Sequence, residues 1–257
     1  MKRVPVRRLT PNRLRRKAAA EKKRRRRKLL WGCAGLLIFV ALGLLAYALR
    51  HPGAALTGAA GQTEIPAYAG EDVVVLCGNQ PGFSEDELTT ETFVRFSPLD
   101  RLGRTGAAAA CLGLETMPTQ PRAAIDANIR PSGWHTVRYD ELIEDGFLYN
   151  RCHVIGYLLC GDNATPENLF TGTRQLNREG MLPYEKQVAE YIEETGNHVL
   201  YRVTPRYDGR GLLALGVEME ACSVEDRGRG VCFHVFAYNV QSGIEIDYAT
   251  GESRRAA

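Results

Sequence analysis

From Leu29 to Leu49 the chain runs 21 residues without a charge, LLWGCAGLLIFVALGLLAYAL. At 1.5 Å rise per residue a helix of that length covers roughly 30 Å, the hydrocarbon thickness of a bilayer. Lys22–Lys28 flank the run on one side and only Arg50 and His51 on the other. The positive-inside rule therefore places the N-terminus in the cytoplasm and the rest of the chain outside, with Trp31 and Tyr47 near the two interfaces. The competing reading is a signal peptide cleaved near Ala46-Tyr47-Ala48, which would make the protein secreted. The apolar region of such peptides is usually about 7–15 residues, shorter than this one. A single-pass cell-membrane protein with an extracellular domain is the expectation.

That span divides the charge unevenly. Residues 1–28 hold 15 Lys and Arg against one acid, Glu21, while the remainder carries 18 basic against 29 acidic residues, a net of −11. The basic tail holds topology and touches anionic lipid; it says nothing about the folded part. Residues 50–66, rich in Gly, Ala and Pro, read as a linker, and residues 67–257 as an extracellular domain of ample length for one core.

Cys33 lies in the apolar run, leaving Cys77, Cys111, Cys152, Cys160, Cys222 and Cys232. An oxidising compartment permits disulfides among these six. Cys222 and Cys232 flank the turn-rich SVEDRGRGV between two strand-like runs, so a bond across that hairpin is geometrically plausible. Zinc held by Cys152, His153 and Cys160 is disfavoured, because neighbouring residues in a strand point to opposite faces and there is no CxxC pair.

The apolar and aromatic run that follows Gly146 has strand character. If Leu148–Leu158 is extended, Arg151 and His153 share one face and Cys152 and Val154 the other. A guanidinium beside an imidazole is a poor pair to bury but a good one to present to a phosphate: one clamps charge, the other moves a proton. The turn-rich GDNATPENLF follows, carrying Asn168. Thr173 then caps a short helical piece that Gly180 stops, with Arg174, Asn177 and Arg178 on one face. Pro183 opens a second helix, PYEKQVAEYIEET, closed by Gly196, with Glu185 in its first turn and Val188, Tyr191 and Ile192 facing the core. The runs Val199–Thr204, Leu212–Ala221 and Val231–Val240 read as further strands.

NRCHVIGYLL, NLFTGTRQLNREGMLPYE and HVLYRVTPRY together resemble the DNA/RNA non-specific endonucleases of the ββα-metal type, especially the secreted and membrane-anchored streptococcal-type branch. The resemblance runs from about Val73 to Thr250 and includes SPLDRLGRTG, PSGWHTV and VFAYNVQSGIEIDYATG. Many members carry Asp-Arg-Gly-His where this chain has Asn150-Arg151-Cys152-His153, a variant that the streptococcal-type branch shares.

The resemblance implies an α+β fold, with a central antiparallel β-sheet and a ββα-metal catalytic element following the N-terminal transmembrane helix. It implies that His153 is the general base that activates water, Asn177 the direct magnesium ligand and Asn168 a supporting residue. Arg151 is then a phosphate-contacting arginine and Glu185 an acid that holds metal-bound waters. Arg174 and Arg178 are candidate phosphate contacts, with a solvated helix face as the plain alternative.

These residue types suit the chemistry. Magnesium, with manganese as a substitute, is a hard ion that keeps several waters, so one amide oxygen and a distant carboxylate suffice. The implied activity is magnesium-dependent, sequence-non-specific hydrolysis of DNA, with RNA as a further substrate, leaving 5′-phosphate ends. The rival is a surface DNA-capture module without turnover. No protein partner is expected. Because residues 54–257 hold 17 basic against 29 acidic residues, DNA binding should be weak and salt-sensitive.

Overall fold

The computed structural model describes residues 64–256. The basic tail 1–28, the apolar run 29–49 and nearly all of the linker 50–66 lie outside them. Among the described residues no helix is long and apolar enough to cross a membrane.

The strands are β1 (Val73–Val75), β2 (Phe93–Phe96), β3 (Ala108–Leu112), β4 (Tyr149–His153), β5 (Leu169–Thr173), β6 (Val199–Tyr207), β7 (Ala214–Ser223), β8 (Cys232–Tyr238), β9 (Ile244–Ile246) and β10 (Ser253–Arg255). Among the described residues two α-helices accompany them, α1 (Tyr157–Cys160) and α2 (Leu182–Thr195). Six strands form an antiparallel sheet in the order β1-β8-β7-β6-β3-β2, while β4 pairs with β5 and β9 with β10. The expected α+β architecture with a central antiparallel sheet is present.

Alternation along β7 explains how the sheet can be covered on both faces. Val217, Met219 and Ala221 enter the main core with Tyr201 and Val203 of β6 and Phe233 and Val235 of β8. Glu218 and Glu220 point the other way. Pro205 is tolerated in β6 because β3 pairs only as far as Val203, so its missing N–H leaves no gap in that ladder.

On the core face lies α2, with Val188 and Ile192 fully buried, each contributing roughly 2 kcal/mol by leaving water. Gly196 ends the helix at φ +69°, the left-handed conformation that favours glycine. The expected stop at Gly180 is absent. Thr173 does cap the turn, accepting from the Leu176 N–H at 2.9 Å, but a π-helical stretch over Leu176–Met181 carries the chain straight into α2.

The opposite face carries charge. His234 Nε2 lies 2.7 Å from Glu218 Oε1, Arg202 Nε donates to Glu220 Oε2 at 2.7 Å, and Arg206 donates to Glu218 Oε2 at 2.9 Å. A strap of residues 76–87 closes over this network. Gly82 N donates to Glu220 Oε1 at 2.7 Å, Leu76 N donates to the His234 carbonyl at 2.8 Å, and Phe83 lies under the Arg202 guanidinium. Cys222 and Cys232 stand opposite each other across β7 and β8, as the hairpin expectation requires, with both present as free thiols.

Candidate active site

Leu148–Leu158 reads as one extended run, but β4 stops at His153 and the chain turns into α1. Pairing with β5 sets Cys152 opposite Phe170 and His153 opposite Leu169. Cys152 enters the core, where burial pushes its thiol up, which removes it as a nucleophile. His153, on the other face, is only 6% exposed. Its Nε2 lies 3.1 Å from the Asn163 carbonyl. A carbonyl only accepts, so Nε2 carries the proton and Nδ1 keeps its lone pair. Burial, aided by the nearby positive charge of Arg122, pushes the imidazole down to about 4. The ring is neutral at neutral pH, as a base must be.

Asn168 fixes the end of this strand from within. It is 0% exposed; its Oδ1 accepts from Ile155 N at 2.9 Å, and its Nδ2 donates to the Ile155 carbonyl and to Asp162 Oδ1, both at 3.2 Å. Every polar atom of the amide is thus engaged in shaping the turn after His153.

Glu185 approaches from the first turn of α2. A Cβ on Gly156 would stand 2.7 Å from its Cδ, so a side chain at 156 would displace the carboxylate. Burial pushes Glu185 up to about 7, against the pull of Arg122. No described residue hydrogen-bonds or ion-pairs with it.

A cleft of about 510 Å³ is lined by Arg122, Trp134, Phe147, Arg151, Arg174 and Asn177 among others; His153, Asn168 and Glu185 do not line it, and the His153 ring is joined to it through Asn163 and Arg122. The Asn177 amide has no hydrogen-bond partner among the described residues and is available to a ligand in the cleft. Arg151 also lines the cleft: its Nε and Nη2 donate to the carbonyls of Ile129 and Ala127, and its guanidinium lies 4.3 Å from the Trp134 ring centroid. It braces the cleft wall. Arg174 lines the cleft and pairs with Asp145 at 2.7 Å, leaving its buried Nε without a partner. Arg178 turns away and pairs with Glu144 at 2.8 Å on the surface.

Arg122 has no counterpart in the sequence reading. Its Nε donates to Asn163 Oδ1 at 3.1 Å, and Asn163 Nδ2 donates to the Ala123 carbonyl at 2.9 Å. Asn163 therefore holds an exposed guanidinium with its side chain and the His153 ring with its backbone. No spacing or periodicity in PTQPRAAIDANIR marks that arginine.

Among the described residues Glu218, Glu220 and His234 also have the spacing of a metal cluster. There both carboxylates already bind Arg202 and Arg206, and both ring nitrogens of His234 are engaged, by Glu218 and by the Gln80 carbonyl. A cation would have to displace that set.

The sequence profile of the DNA/RNA non-specific endonuclease family matches residues 85–225, which include all the groups just described in the cleft and beneath it. Among solved structures, NucA from Streptococcus agalactiae with magnesium ion bound is 26% identical, covering 76% of this chain and 91% of NucA at a TM-score of 0.65. The same nuclease with no metal bound is 27% identical over 78% of this chain and 94% of its own, with a TM-score of 0.64. Sda1 nuclease with bound zinc ion shares the fold at 22% identity, covering 72% of this chain and 96% of Sda1, with a TM-score of 0.60.

Proposed function

The chain belongs to the DNA/RNA non-specific endonuclease family, and from that premise we propose that it cuts nucleic acid with His153 as the base and a divalent cation held at Asn177. The observation that carries this reading is the buried, neutral His153, oriented through Nε2 so that Nδ1 is free to take a proton from water. Arg122, fixed by Asn163 beside the imidazole, offers its guanidinium to the scissile phosphate and keeps His153 unprotonated. Arg174 adds a second positive charge in the cleft.

The donor set suits a hard cation. Asn177 offers an amide oxygen with no hydrogen-bond partner among the described residues, and Glu185 is a buried carboxylate with none among them either, which we assign to accept from metal-bound waters. Magnesium, with manganese as a substitute, is the ion we assign; when bound it stabilises charge on the phosphate and on the leaving 3′-oxygen. The Streptococcus agalactiae nuclease with magnesium bound supports that choice. Departure of the 3′-oxygen leaves 5′-phosphate ends. Asn168 positions the turn after His153, and Arg151, which braces the wall through Nε and Nη2, keeps Nη1 for a phosphate in the cleft.

We place this domain, residues 67–257, outside the cell, held by the apolar run 29–49 behind the basic tail 1–28 and the linker 50–66. The run's length and one-sided basic flank support an anchor over a cleaved signal. Carbonate extraction of membranes tests it: an anchored chain stays with the membrane, and release of the intact chain overturns the assignment.

For the chemistry, purified protein is incubated with plasmid DNA or RNA in magnesium, manganese or chelator, beside His153→Ala and Asn177→Ala. Expected is metal-dependent cleavage that falls about a thousandfold for His153→Ala and is lost for Asn177→Ala, with phosphatase-sensitive 5′ ends. DNA binding without cleavage in the unmutated protein would establish a capture module instead.

A further inference from the structure

Of the three aromatic residues that line the cleft, Tyr149 is buried with its hydroxyl donating to the Gly251 carbonyl, while Trp134 and Phe147 stand there without a role in the hydrolysis. Trp134 and Phe147 come from segments that pair locally: Arg138 bridges Phe147, and Leu148 N donates to the Val137 carbonyl at 3.1 Å. Together the segments make one wall of the cleft. Trp134 is occupied, being half-buried against a second apolar cluster and under the Arg151 guanidinium. Phe147 is not. It remains 41% exposed, with the Arg138 guanidinium 4.2 Å from its ring centroid. Arg138 is itself paired to Asp140, and neither residue lines the cleft. The surface that Phe147 gives the cleft is therefore the side its cation leaves bare.

A single exposed apolar residue is ordinary on a protein surface. Phe147 differs in being clamped by a cation–π contact and a backbone bridge, and in sharing its cleft with Arg122 and Asn177. A nucleic-acid strand presents a flat π face next to every phosphate. An aromatic side chain that meets such a strand stacks on a base, whatever its identity. In a duplex those faces are covered by neighbouring bases; in an unpaired strand they are open.

Resting on the nuclease reading above, we propose that Phe147 is a base-stacking, specificity-determining residue that makes this protein favour strands with an unpaired base beside the bound phosphate. The charge balance gives that contact weight. Arg174 is partly neutralised by Asp145, and Arg178 pairs with Glu144 outside the cleft, so the exposed Arg122 is left to carry most of the phosphate contact. Stacking supplies affinity that is independent of phosphate charge and so persists as salt rises, unlike counterion release.

The test uses the full chain in chelator, so that nothing is cut, with fluorescence anisotropy of a labelled single-stranded oligodeoxynucleotide, the same oligonucleotide with one abasic position at a time, and a blunt duplex. The unmutated protein is expected to bind the single strand more tightly than the duplex. Phe147→Ala should weaken single-strand binding about tenfold, equivalent to about 1.4 kcal/mol, and leave duplex binding within about twofold. One abasic position should weaken the unmutated protein to the same extent and the variant hardly at all, because both changes remove the same stack. Phe147→Leu, which keeps apolar bulk and the fold, should behave like Phe147→Ala. The proposal is overturned if Phe147→Leu binds like the unmutated protein, if single strand and duplex weaken equally, or if the abasic and Phe147 effects simply add. Absence of cleavage in magnesium by the unmutated chain would sink the nuclease reading separately, with the anisotropy still deciding this one.

Discussion

Two histidines are sealed in this domain, His153 at 6% and His234 at 3% exposure, and burial depresses both. They end on opposite sides of the ordinary value. His153 has a carbonyl at one nitrogen and Arg122 nearby, and it falls to about 4. His234 meets Glu218 at one nitrogen and the Gln80 carbonyl at the other, with Glu220 close by, and these outweigh burial and lift it. Both its nitrogens face acceptors, which favours the protonated ring. Depth alone does not make a base; the sign of the charge beside the ring decides whether its proton is available or locked.

The hardest test of this contrast is Glu218→Ala. It leaves the buried His234 ring and the Arg206 guanidinium short of their shared carboxylate, and a denaturation midpoint should show a loss of about 3–5 kcal/mol. Turnover per folded molecule should be unchanged. A loss below about 1 kcal/mol would mean that the network is no more than a solvated cluster.

The two rings also bend stability with pH in opposite directions. Because folding raises the His234 pKa, its contribution is complete below the ordinary value of 6.5 and disappears as pH rises through the raised one. Because folding lowers the His153 pKa, the unfolded chain binds more protons between about 4 and 6.5, and stability falls as pH drops through that window. Urea midpoints of His234→Gln across pH should lose the alkaline decline attributable to this residue and keep the acidic one.

A smaller effect sharpens the catalytic half. Arg122→Met removes a charge that depresses His153, so the acid limb of kcat/KM should move up from near 4 toward 6.5, alongside about a tenfold loss from the missing phosphate contact. An acid limb that stays in place would remove Arg122 from the control of the ring. The smallest change is Arg178→Ala: its pair with Glu144 is exposed, and both stability and rate should shift by less than about 0.5 kcal/mol.

Legibility of the fold in the sequence followed the strength of local pattern. Val199–Thr204, Leu212–Ala221 and Val231–Val240 fall on β6, β7 and β8 because alternation is a property of neighbours in the chain. Pro183 and Gly196 bracket α2 for the same reason. Gly180 misled, since a glycine can sit inside a π-helical turn packed close to Ala237 and Leu176 as readily as it ends a helix. The separation of Arg151 and His153 from Cys152 was readable from strand alternation. What Arg151 touches was not, because its carbonyl partners at residues 127 and 129 lie in a loop with no period. Arg122 escaped for the same reason. Asn163, legible only as a turn former, joins that arginine to the imidazole through a bond made 41 residues away. The lifted histidine was illegible altogether, since four of its charged neighbours come from β6 and β7 and its roof from the strap.

That strap has a consequence for how the protein is made. Asn79 reaches the Cys232 carbonyl across 153 positions of chain, and Gly82 reaches Glu220 across 138. During synthesis from the N-terminus, residues 76–87 emerge early and have no surface to lie on until β7 and β8 leave the ribosome. A fragment ending before β8 would carry β6 and β7 with their carboxylates and arginines open to water, although β4, β5 and α2 would all have been synthesised. Closure of the domain therefore waits for β8, and a product truncated before it should be visible to proteases at the strap before anywhere else.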